Sequence, residues 1–120
     1  MRKGVVVTDH PYVSYFFRAE IERLAKSDLE LHVSEDPWSA LGFMGYGDIS
    51  FLILDARVTE TERLVATAED FGAHVLILTE NVYAAKMKFL KKDRRIDFFL
   101  KPNDSYLIII RLNEIYDGLL

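Results

Sequence analysis

The chain has 120 residues, 50% hydrophobic and 28% charged, with a net charge of −4, which suits one domain spanning residues 1–120 with a core of its own. With no cysteine, disulfides, thiolate catalysis and cysteine zinc sites are excluded, and a cytoplasmic protein is expected. No apolar stretch approaches the roughly 18 residues of a membrane span, and the apolar segment after Arg2 and Lys3 is too short for a signal peptide.

The first strand is expected over residues 4–8, where Val5-Val6-Val7 leads into Thr8-Asp9. Pro11 follows, and proline suits the first position of a helix. Phe16, Phe17, Ala19, Ile21, Leu24 and Ala25 recur at helical spacing over 11–26. Leu29-Glu30-Leu31-His32-Val33 alternates, as a half-exposed edge strand does. Asp36-Pro37 opens a short helix that runs into the glycines 42, 45 and 47. Ile49-Ser50-Phe51-Leu52-Ile53-Leu54 is a nearly continuous apolar run, the pattern of an interior parallel strand, and Asp55 closes it.

A third helix is expected over roughly 60–71. Leu64, Val65, Ala68 and Phe71 face inward, Gly72 stops it, and Thr59 with Glu62 offers a capping box. Val75-Leu76-Ile77-Leu78 gives strand four and ends in Thr79. A fourth helix covers roughly 81–92. Strand five is 96–100 and ends in Lys101-Pro102. Asn103, Asp104 or Ser105 caps a last helix that ends near Gly118. Strands alternating with helices predict an α/β fold, a doubly wound five-stranded parallel sheet of order 2-1-3-4-5.

Asp9, Asp55, Thr79 and Lys101 then all fall at carboxyl ends of strands, where open α/β sheets place their ligands. Each has a plainer reading. Asp9 caps the first helix, Thr79 caps the fourth, Lys101 is an ion-pair partner of Asp55, and Phe98 is ordinary packing. The histidines 10, 32 and 74 lack ligand spacing. The basic group Lys86, Lys88, Lys91, Lys92, Arg94 and Arg95 reads as a solvated helix face and its exit rather than a nucleic-acid site.

Taken in order, Asp9, Asp55, Thr79 and Lys101-Pro102, with Phe98 three residues before Lys101, resemble the receiver domain of two-component response regulators. The resemblance covers the whole chain. It implies the flavodoxin- and CheY-like form of the fold and phosphoryl transfer from a phosphohistidine to Asp55. A histidine kinase or phosphotransfer protein would be the donor, and an output domain or partner protein the recipient of the signal. It further implies a weakly held Mg²⁺ on Asp9, Asp55 and the Arg57 backbone carbonyl, with Thr8 reaching it through water. Lys101 and Thr79 would contact the phosphoryl oxygens, with Thr79 and Phe98 as the switch. A cis bond between Lys101 and Pro102 also belongs to the family pattern.

Two departures stand out. Thr8 replaces the first of two adjacent acids. The loop after Asp55, Ala56-Arg57-Val58-Thr59-Glu60, lacks the family's proline and glycine and is short. Arg57 is then available to pair with Asp55 at rest. The alternative is a pseudo-receiver, a phosphorylation-independent interaction or dimerisation module. The last helix is too apolar for one buried face. Ile108, Leu112 and Ile115 make a core stripe, which leaves Tyr106, Leu107, Ile109 and Ile110 for a homodimer or a partner.

Overall fold

The computed structural model describes residues 2–24, 29–89, 95–101 and 104–115. The Lys101–Pro102 bond, Asn103, the basic residues Lys91, Lys92 and Arg94, and the chain end near Gly118 lie outside these residues. Five strands alternate with five helices: β1 (Arg2–Val7), α1 (Pro11–Leu24), β2 (Leu29–Ser34), α2 (Pro37–Met44), β3 (Ile49–Asp55), α3 (Thr61–Asp70), β4 (His74–Thr79), α4 (Val82–Lys88), β5 (Ile96–Leu100) and α5 (Ser105–Ile115). All strand pairs are parallel. The order is β2-β1-β3-β4-β5, as expected, with β2 at an edge.

The pleat sends alternate residues to opposite faces, and this builds two cores. Val5, Val7, Leu52, Leu54, Val75 and Ile77 meet α2 and α3 on one face. Val6, Phe51, Ile53, Leu76 and Leu78 meet α1 and α5 on the other through Val13, Phe17, Ile21, Ile108 and Leu112. Both faces of the central strands are therefore dry, which is why β3 and β4 read as unbroken apolar runs.

Gly4 lets β1 approach its neighbour closely, because a Cβ there would run into the Phe51 ring. Phe98 and Phe99 part company at β5. Phe98 packs half-buried toward the α2–α3 side and Phe99 toward α1 and α5.

Three expectations about the helices are corrected. First, α3 begins at Thr61 behind Glu60, whose backbone is left-handed (φ 60°) and whose side chain makes no capping bond. Thr59 and Glu62 therefore form no capping box. The left-handed residue turns the short loop sharply enough that helix geometry starts only after Thr59. Second, the cap of α1 is His10 rather than Asp9. The His10 carbonyl accepts the Ser14 N–H at 3.0 Å, and its Nδ1 accepts the Val13 N–H at 3.4 Å. Third, Ile109 is only 4% exposed and belongs to the core. It lies one residue past Ile108 on a helix that packs against both α1 and the sheet, so the buried face is wider than one stripe. Tyr106, Leu107 and Ile110 do remain exposed.

Candidate functional site

The parallel register aligns Val7 with Leu54. The next residues, Thr8 and Asp55, therefore emerge side by side at the carboxyl edge of the sheet. Both are buried. Thr8 Oγ1 donates to Asp55 Oδ2 at 2.8 Å and accepts the His10 backbone N–H at 3.1 Å. Lys101 arrives from the end of β5 and places Nζ 2.7 Å from the same Oδ2, with its side chain 2% exposed and that of Asp55 0% exposed. The contact is an ion pair between two buried groups of opposite charge. The Arg57 backbone N–H donates to Asp55 Oδ1 at 3.0 Å. Three cationic or N–H/O–H donors thus converge on one carboxylate.

Thr79 is buried one strand away. Its hydroxyl donates to the Asn81 carbonyl at 3.2 Å and accepts the Asn81 N–H at 3.1 Å. The cap of α4 is Asn81, whose side chain accepts the Ala84 N–H, so Thr79 holds the capping residue and is not the cap itself. The Thr79 carbonyl accepts the Lys101 N–H at 2.8 Å, which ties the two strand ends together.

The structure joins Thr8, Asp55 and Lys101 and keeps Thr79 beside them. It does not bring in the Arg57 side chain. That guanidinium points outward, 4.0 Å from Glu80, and both groups are exposed, so the expected resting pair with Asp55 is not formed. The loop geometry that turns the Arg57 N–H onto Asp55 sends its side chain to solvent. Asp9 is exposed.

A divalent cation needs lone pairs converging on one point. Both Asp55 oxygens already carry donors, an ammonium sits against Oδ2, and the Thr8 hydroxyl points its proton at Asp55. Asp9 stands outside at the surface. Among the described residues no three histidine or acidic side chains are grouped as a metal site. The residues present do not fit Mg²⁺ in this arrangement.

A cavity of about 250 Å³ lined by Glu69, Gly72, Ala73 and Arg95 opens at the other end of the sheet, where β4 begins. It has no part in this constellation.

The direct Thr8–Asp55 bond, the Arg57 N–H and the His10 cap were not anticipated. The first was legible in principle, since Thr8 follows Val7 as Asp55 follows Leu54. The other two depend on loop dihedrals that carry no sequence pattern. No family model, no curated protein and no solved structure matches this chain.

Proposed function

We propose that the chain is an atypical receiver domain, a cytoplasmic signalling module that accepts a phosphoryl group on Asp55. The observation that carries this reading is the Asp55–Lys101 contact of 2.7 Å at the carboxyl edge of the sheet. Fold alone does not imply function, but a nucleophilic carboxylate held by a lysine suits phosphoryl transfer, which needs positioning and charge neutralisation. The donor would be a phosphohistidine on a kinase or phosphotransfer protein. Lys101 would neutralise one phosphoryl oxygen. Thr79 would turn its hydroxyl from the Asn81 carbonyl to another, and this loosens the residue that caps α4. Phe98, half-buried on the neighbouring strand, would register that shift. The output surface on this reading includes Tyr106, Leu107 and Ile110 of α5, where a partner or a second copy would dock.

One observation favours a second reading, a phosphorylation-independent interaction module. The Asp55 side chain is 0% exposed and its carboxylate is already satisfied. A phosphodonor reaches it only after a local opening.

Phosphotransfer from a phosphohistidine protein separates the two readings. The receiver reading expects hydroxylamine-labile phosphate on the native chain and none on Asp55→Ala. Absence of label on both chains would favour the interaction module.

A further inference from the structure

The buried part of the site balances its own charge. One buried carboxylate, Asp55, faces one buried ammonium, Lys101, at 2.7 Å. Two adjacent acids after β1 would put further negative charge beside Asp55, and like charges so placed repel unless a cation lies among them. Here the first of those positions is Thr8, which donates to Asp55 at 2.8 Å, and the second, Asp9, is at the surface. Lys101 Nζ, moreover, has three donors, and with its side chain 2% exposed it faces one carboxylate oxygen among the described residues. Buried donors are nearly always hydrogen-bonded. An incoming group with several anionic oxygens and no donors of its own would satisfy them.

We propose that this site takes up a phosphoryl group on Asp55 without a divalent cation, with Lys101 supplying positive charge and the Thr8 hydroxyl and the Arg57 N–H supplying hydrogen bonds instead. The inference rests on the receiver reading above and adds the charge source. An Asp55 oxygen forms a bond to phosphorus as the phosphorus–nitrogen bond of the phosphohistidine breaks. The ring, protonated on its other nitrogen, leaves as neutral imidazole and keeps the electron pair of the broken bond. The product is an acyl phosphate, and no electrons are exchanged with a redox partner. Thr8 keeps its proton and turns it from Asp55 Oδ2 to a phosphoryl oxygen. Lys101, which faces Asp55 Oδ2 at rest, donates to a second oxygen.

The test uses the whole chain stripped with EDTA, with phosphoramidate as the donor, and follows the peptide containing Asp55 by mass. The expected result is the same rate of modification with EDTA as with added magnesium. Thr8→Val should slow it by about a hundredfold, the usual loss when one preorganised donor is removed. Thr8→Ser, which restores the hydroxyl, should recover most of that loss and so exclude a folding defect. Thr8→Asp should make the reaction depend on magnesium. Modification of the native chain only in the presence of magnesium overturns the inference and leaves Asp55 an acceptor. A Thr8→Val rate equal to the native one also overturns it. No modification under either condition overturns the receiver reading itself, and this inference with it.

Discussion

Lys101 and Asp55 meet across strand β4. One follows the last residue of β5, the other closes β3, and Nζ lies 2.7 Å from Oδ2 with both side chains buried. Such a pair is hard to break singly, because removing one partner leaves an uncompensated charge inside the protein. Lys101→Ala should therefore destabilise the fold by about 3–5 kcal/mol. The double variant Asp55→Leu with Lys101→Met, which removes both charges, should recover much of that loss. Urea unfolding measures both. An unshifted midpoint in Lys101→Ala would mean that the pair contributes nothing in solution.

Two histidines contribute to the expected response to acid. Burial lowers the pKa of His32, and the nearby Arg18 charge lowers it further. Burial and then Arg95 lower that of His74. In both, the folded value lies below the unfolded one of 6.5, so the unfolded chain takes up a proton first as pH falls. This contribution to stability is fully present above pH 6.5 and is lost as pH falls through the folded values. The rings are partly exposed, so the slope should be shallow. Thermal unfolding across that window should show it, and His32→Gln with His74→Gln should flatten it. An unchanged slope in the double variant would place the acid response elsewhere.

Gly4 carries a packing constraint that nothing in the sequence pattern announces. A Cβ at this position would overlap the Phe51 ring, and Phe51 is completely buried and cannot move aside freely. Gly4→Ala should lower stability by about 1–3 kcal/mol, the usual result of overpacking. Gly4→Ala combined with Phe51→Leu should restore part of it. A neutral Gly4→Ala in denaturant titration would contradict the close approach.

Neighbouring isoleucines on α5 should behave oppositely. Ile109 is 4% exposed and Ile110 is 40% exposed. Ile109→Glu buries an unpaired carboxylate and should cost about 3–5 kcal/mol or unfold the chain. Ile110→Glu should leave stability within about 0.5 kcal/mol. If Tyr106, Leu107 and Ile110 form a docking face, Ile110→Glu should lower the sedimentation-derived mass at high concentration. A native chain that is monomeric at every concentration would remove self-association through this face.

The sheet was legible because β3 and β4 are buried on both faces and must be apolar throughout, while β2 alternates as an edge strand does. The strand-end positions of Asp55, Thr79 and Lys101 followed from those runs. Contacts set by single dihedrals were not legible. Glu60 in a left-handed conformation delays α3 past Thr59, and the same loop aims the Arg57 N–H inward and its guanidinium at Glu80. His10 displaced Asp9 as the cap of α1 because a ring nitrogen two bonds from Cβ can reach the Val13 N–H, a role outside the usual capping residues. Ile109 was misplaced because a single helical stripe ignores a second packing partner, here α1 beside the sheet.

The most direct test of Asp55 as an acceptor is an amide NMR spectrum of the chain titrated with beryllofluoride, a stable mimic of an aspartyl phosphate, beside the same titration of Asp55→Ala. The receiver reading predicts saturable shifts at Thr8, Asp55, Thr79 and Lys101 in the native chain, extending along α4, and none in the variant. A native spectrum that ignores the mimic, with and without magnesium, would contradict it and leave the α5 face as the place to look for function.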